Sequence, residues 1–325
     1  MIKKCKTGYI ITLILILILV VLVSVSLGST QIGAVSNDTY EIIIWKIRLP
    51  RICLAVLVGG ALAVVGAVFQ AMFANPLADP HILGVSSGAA LGATIAMLTG
   101  ITFNVLGIGA IGCFAFVGAL LTVLVVYALA KVCGVESIAN ILLIGTAVST
   151  MLSAVISILM VFNHDQIEKV YLWVMGSVSA ATWLKNAFVA IVVIICMVII
   201  MIHSRKLNLL MMGEEDASCL GLDTDKIRKR LMVLCSVTVA ATVSVSGIIG
   251  FVGLIIPHCV KMITGSDHRK VLPYSFLCGS VFLVVCDTIA RTIAAPTEIP
   301  VGIITSVCGA PFFIGLILKQ KKKLK

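Results

Sequence analysis

Leu207–Arg230 reads LNLLMMGEEDASCLGLDTDKIRKR, the longest polar interruption in a chain that is otherwise almost continuously apolar. Its five acids (Glu214, Glu215, Asp216, Asp223, Asp225) and four bases (Lys226, Arg228, Lys229, Arg230) exclude a membrane span here. Each such charge at a bilayer centre costs roughly 2.5–3.5 kcal/mol on insertion scales. The segment therefore lies in water or at an interface and divides the protein into two hydrophobic halves. Its internal pattern predicts two short helices. Gly213 precedes an acidic first turn, which complements a helix N-terminus, and Gly221 stands where a left-handed C-terminal cap is expected. Asp223 is a good N-cap for the second helix, whose basic end runs into the next apolar stretch. Leu207, Leu209, Leu210, Met211 and Met212, with Ala217, Leu220 and Leu222 at helical spacing, suggest a docking surface.

Outward from this segment, composition sets the class. Hydrophobic residues make up 60% of the 325 positions, charged residues 12%, and the mean hydropathy is +1.18, far above a soluble domain. The chain reads as an all-α polytopic membrane protein of about ten helices, since a span needs about 20 apolar residues. Runs such as Ile10–Leu27 and Phe188–Ile202 show no alternation, which argues against a barrel. The eleven cysteines are scattered through apolar runs without Cys-x-x-Cys spacing and read as buried thiols.

Lys3, Lys4 and Lys6 precede a run too long for a secretory h-region, so Tyr9–Leu27 reads as an uncleaved first span with its N-terminus inside. Gly28–Ile47 is expected outside. A second span to about Phe73 carries Gly59, Ala63, Ala67 and Ala71 at i+4 intervals, and a third, from Gly84, carries Gly88 and Gly92. Small residues in register let helix backbones approach in lipid. Asn75-Pro76 and Pro80 make the intervening loop. Spans four and five are expected near Ile108–Ala130 and Ile138–Phe162, the latter bearing Gly145, Ser149, Ser153 and Ser157 with Thr146 and Thr150 beside them. That hydroxylated stripe reads equally as a tight seam or as the wall of a pathway. Span six is Phe188–Ile202. After the polar segment, span seven occupies Leu231–Ser246, and Gly247, Gly250 and Gly253 lead to a short eighth span broken at Pro257-His258, an interruption tolerated only against protein or a cavity. Span nine runs from Val271 to Arg291, and a tenth ends in a lysine tail.

With this assignment, eighteen of the 24 lysines and arginines fall inside, as the positive-inside rule requires. Both termini and the polar segment are then cytoplasmic. Spans two to five and seven to ten are expected as halves of opposite orientation within one transmembrane domain, 1–325, comprising 1–206, the polar 207–230 and 231–325.

Chemistry is sparse. No Gly-Lys pair occurs, so the chain holds no P-loop for ATP. Asp287 is expected to pair with Arg291 at i+4, and no proton relay of buried acids is evident. His258 reads as a structural group at a helix break; His81, His203 and His268 are expected solvated near cytoplasmic ends. No cluster has metal-ligand spacing, and neither an enzyme nor a cofactor is indicated. A self-sufficient secondary carrier and a membrane-embedded enzyme are the competing classes.

RLPR (Arg48–Arg51), the glycine-to-Gln70 stretch, NPLADPHILGVSSGAALG (Asn75–Gly92), MGEEDASCLG (Met212–Gly221), GFVGLIIPH (Gly250–His258), DHR (Asp267–Arg269) and EIPVGIITSVCGAPFFI (Glu298–Ile314) stand in order along the chain. Together they resemble the permease subunits of ABC importers for iron–siderophores, haem and vitamin B12. The resemblance implies ten helices, a permease dimer with a central path, two cytoplasmic ATPase subunits that bind the ATP, and an extracytoplasmic solute-binding protein. It makes MGEEDASCLG the coupling element, with Gly213, Glu214, Glu215, Ala217, Leu220 and Gly221 toward the ATPase. It places Arg48, Arg51 and Arg291 toward the binding protein; the hydroxylated stripe of span five, Thr146, Ser149, Ser153 and Ser157, is the expected wall of the path. An iron chelate is the expected cargo, with vitamin B12 as the alternative.

Overall fold

The computed structural model describes residues 7–28, 41–105, 107–133 and 138–323. Part of the expected outer segment, residues 29–40, and Lys3, Lys4, Lys6 and Lys325 lie outside them. The described residues contain thirteen α-helices, a π-helical turn (Ile43–Arg48), two 3-10 turns (Pro80–Leu83 and His164–Gln166) and one short hairpin (Asn104–Val105 with Ile108–Gly109). In order the helices are α1 (Thr7–Ser26), α2 (Leu49–Met72), α3 (Val85–Thr99), α4 (Ala110–Val132), α5 (Ile138–Val161), α6 (Ile167–Val174), α7 (Trp183–Ile202), α8 (Ser204–Leu210), α9 (Glu214–Cys219), α10 (Thr224–Ser246), α11 (Val252–Thr264), α12 (His268–Thr292) and α13 (Val301–Lys323). Seven are long and apolar enough to cross a membrane, and three shorter apolar helices, α3, α11 and the Val301–Gly315 part of α13, accompany them.

α2 is the core of the molecule. Of its residues only a few near its start escape burial, because it is wrapped by α12, α11, α10 and α7. The small-residue rows explain how backbones come so close. Gly59 lies against Gly279 of α12, where a Cβ on either would strike the other's carbonyl, and Ser280 Oγ donates to Val56 O at 2.8 Å. Gly66 faces the backbone of Gly253 at the start of α11. In the second layer Gly88 and Gly92 of α3 meet Gly118 and Phe114 of α4, the seam expected of a G-x-x-x-G face.

The two quartets α2–α5 and α10–α13 exchange partners. α2 lies along α12, the third helix of the other quartet, and α10 lies along α4 in the same way. Each quartet's second helix is short and starts at a residue of positive φ: Gly84 (φ 81°) before α3 and Phe251 (φ 68°) before α11.

Several boundaries depart from expectation for local reasons. α10 continues the Asp223-capped helix straight into the seventh span, and α8 is an additional helix ahead of α9. α11 is not broken at Pro257; the break lies before it, at Gly247–Phe251. Cys196, Cys235 and Cys286 are buried as expected, whereas Cys133, Cys219 and Cys308 are exposed.

Candidate functional site

The polar segment folds as a short stack. Ser204, Leu207 and Leu210 bury one face of α8 against α2 and α12. α9 rides on α8; Ala217 is fully buried there and Gly221 takes φ 78° as its C-terminal turn closes, with Leu222 N donating to Ala217 O. Asp223 Oδ1 caps α10 by accepting from Lys226 N at 3.1 Å. Both of these caps match the expectation. The exposed apolar surface here is narrower than the sequence indicated. Ala217, Leu207 and Leu210 are consumed in internal packing, so what remains outward is Gly213, Gly221, Met211 (37% exposed), Met212 (59%) and Leu220 (61%). Glu214 and Glu215 form the first turn of α9; their side chains lie outside the described set.

At the junction of α8 with α12, Asn208 Nδ2 donates to Asp267 Oδ1 at 2.9 Å, and Asn208 Oδ1 accepts from His268 N and Nδ1, both at 2.8 Å. Asp267 also caps α12 through Arg269 N and holds the Arg269 side chain. The Arg269 guanidinium, aided by the Asn208 amide, keeps the Asp267 carboxyl well below its usual range. His268 is fully buried here, not solvated as expected, because an asparagine from another element meets its backbone and ring nitrogens. His203 likewise turns back onto Ile199 O at 2.8 Å.

Near the C-terminal end of α2, the chain reversals that precede the two short helices meet. Asp79 accepts from His81 N at 2.8 Å and starts the 3-10 turn Pro80–Leu83. The His81 ring bridges Ser86 Oγ and Ile249 O, the latter at 3.1 Å, so it ties one chain reversal to the other and is not the solvated group expected. α11 runs through Pro257 because its displaced hydrogen bonds are met from outside. Proline has no N–H for the carbonyl four residues earlier. Gln70 Nε2 instead donates to Gly253 O (3.4 Å) and Leu254 O (3.1 Å), while Lys261 Nζ donates to Gln70 Oε1 (3.2 Å). His258 is half-buried one residue beyond.

The other end of α12 enters a knot of charge. Arg51 holds Asp287 through Nε and Nη2 at 2.9 Å and Glu298 through Nη1 at 2.7 Å. Arg291 donates to Ser24 O and Oγ, with Asp287 a looser 3.6 Å away. Arg48 Nη1 donates to Val25 O at 2.7 Å. All three arginines are buried, with 3–5% exposure. The three residues expected toward the binding protein thus have their guanidinium groups turned into the fold. The C-terminal carbonyls of α1, which no helical N–H can satisfy, and two acids take them inward. Asp287 pairs chiefly with Arg51, 236 residues away, and only secondarily with its i+4 neighbour.

The stripe on α5 divides between its two readings. Gly145 and Ser149 pack against Ile82–Gly84 and form a seam, while Thr146, Ser153 and Ser157 are exposed on the free face. Thr146, Ser149, Thr150 and Ser157 all donate to carbonyls of their own helix at 2.8–3.0 Å. The exposed face is thus less polar than its composition.

The family model of the FecCD transport family matches residues 11–319. The chain belongs to the FecCD transport family. This FecCD permease is 46% identical over 280 residues to the cobalamin import system permease protein BtuC of Halobacterium salinarum, covering 86% of this chain and 74% of that protein. It is 38% identical to the hemin transport system permease protein HmuU of Yersinia pestis, over 92% and 93% of the two chains. The molybdate import system permease MolB of Haemophilus influenzae shares 35% over 86% and 82%. Among solved structures, an inward-facing metal-chelate type ABC transporter superposes with a TM-score of 0.87 at 32% identity, covering 96% of this chain and 99% of that one. The FecCD permease is therefore a multi-span transport subunit of the cytoplasmic membrane.

Proposed function

We propose that this FecCD permease forms, with a second permease copy, the path of an ATP-driven importer of a bulky metal chelate. An iron chelate, a siderophore or haem, is the favoured cargo. The observation that carries this is the match to the metal-chelate type transporter along nearly the whole chain. A corrinoid is the second reading, favoured by the 46% identity to a cobalamin permease. ATP is bound and hydrolysed in two partner ATPase subunits. They dock on the α8–α9 stack at Gly213, Glu214, Glu215, Leu220 and Gly221, with Met212 adding an exposed apolar contact and Ala217 supporting from beneath.

On the other side, an extracytoplasmic binding protein docks over Arg48, Arg51 and Arg291. Its carboxylates must compete with Glu298, the most exposed acid of the knot, for Arg51. The exposed half of the α5 stripe, Thr146, Ser153 and Ser157, lines the path, and Ser149 braces it. The deciding experiment is uptake into proteoliposomes holding the permease with its ATPase and binding protein, using ferric haem, a ferric siderophore and cyanocobalamin as probes. ATP-dependent accumulation of the ferric probes alone supports the first reading and of cyanocobalamin alone the second. Accumulation of any probe without ATP rejects the importer.

A further inference from the structure

α8 stands between two bodies. On one side it carries α9; on the other it is seated on α2 and the N-terminus of α12. Its buried apolar contacts, Leu207 and Leu210, are non-directional, and such contacts let an element slide. The directional contact is Asn208. A planar amide presents an acceptor and a donor at once, and here both are used: Oδ1 receives the backbone and ring N–H groups of His268, and Nδ2 reaches Asp267. Asp267 is at the same time the cap of α12, through Arg269 N. A pull on Asn208 is therefore a pull on the first turn of α12.

What lies beyond that turn is stiff. α12 runs for 25 residues, about 37 Å at 1.5 Å per residue. It is fixed to α2 by the Gly59–Gly279 backbone contact and the Ser280–Val56 hydrogen bond. Its far end is held by Arg51, which belongs to α2, and by Arg291 on the C-terminus of α1. The pair α2–α12 thus joins the cytoplasmic stack to the outer knot with backbone-close packing at mid-length.

We propose that Asn208 is the positioning residue by which the coupling stack grips the α2–α12 pair, so that a displacement imposed on α9 reaches the outer face. This rests on the importer reading above and names the joint through which it operates. Asn208→Asp sets a carboxylate against Asp267 and breaks the grip. Asp267→Asn retains a capping side chain and relieves that repulsion, because an amide at 267 can donate to a carboxylate at 208.

The test uses the assembled complex of permease, ATPase and binding protein in proteoliposomes and reads the factor by which the binding protein stimulates ATP hydrolysis. Asn208→Asp is expected to lower that factor about tenfold, within the usual range of coupling between sites, while basal hydrolysis and the ATPase content of the purified complex stay at wild-type values. In the Asp267→Asn background the same change is expected to cost less than about threefold, the non-additivity of residues in direct contact. Asn208→Ser, which removes the bridge without adding charge, serves as the second variant and is expected to reduce stimulation with basal hydrolysis retained. Wild-type stimulation in both Asn208 variants, or an equal loss from Asn208→Asp in both backgrounds, overturns the assignment alone. A wild-type permease that holds no ATPase overturns the importer reading and the assignment with it.

Discussion

The Arg51–Asp287 knot and the α8–α9 stack both concentrate charge in a chain that is poor in it, and they dispose of it in opposite ways. In the knot, Arg51 and Asp287 are about 95% or more buried and satisfied within the chain. In the stack, Lys226 and Asp223 pair at 2.7 Å while remaining more than half exposed. Buried ion pairs add little net stability, but breaking one by removing a partner is costly; exposed pairs are worth little either way. The same residue types therefore brace the fold at one face and remain free for a partner at the other.

The largest expected effect breaks the knot. Asp287→Ala leaves Arg51 and Arg291 without their central carboxylate and should cost about 3–5 kcal/mol, seen as a large drop in thermal midpoint in detergent. A midpoint near wild type would mean that the knot is as dispensable as the stack. Next, Gln70→Leu extends the rule to uncharged groups, at the C-terminal end of α2. Leaving the Gly253 and Leu254 carbonyls unmet should cost about 1–3 kcal/mol, and less in a Pro257→Ala background, where a restored N–H can take Gly253 O. A cost that is the same in both backgrounds would separate Gln70 from the proline.

Smaller still in stability, paired changes of Leu220→Arg and Met212→Ser should shift the midpoint by no more than about 0.5 kcal/mol while the ATPase no longer co-purifies. If folding suffers instead, the stack is core and not surface. Glu298→Gln frees Arg51 on one side only. It should leave the fold intact and tighten binding-protein docking several-fold by titration, the gain expected when a competing charge is removed; weaker docking would place Glu298 in the contact itself.

The smallest effect concerns pH. The Asp267 carboxyl is depressed by its hydrogen bonds to Arg269 and Asn208, so its contribution is complete above the unfolded value of about 3.9 and is lost only as pH falls below that toward the folded value. The midpoint difference between wild type and Asp267→Asn should stay constant from pH 8 to 5 and shrink only under about pH 4.

Legibility followed the range of the interaction that places each residue. The caps at Asp223 and Gly221 and the small-residue seams were readable because a cap spans three residues and a seam repeats every four. The partners of His81, His268 and Arg51 were not, since they lie 168, 60 and 236 residues away. Polar types in an apolar chain announce that partners exist, and only the topology names them. α8 was missed although Ser204, Leu207 and Leu210 at i, i+3 and i+6 carried its period. Pro257 misled because the residue that answers it, Gln70, belongs to α2.

The hydroxyls of α5 that bond to their own helix have a consequence for how such proteins diversify. Since Thr146, Thr150 and Ser157 owe nothing to neighbouring elements, their face can change without disturbing the frame that α2 and α12 build. If, as proposed, that face lines the path, a scaffold with a constrained interior and an independent lining is open to acquiring new cargo one substitution at a time.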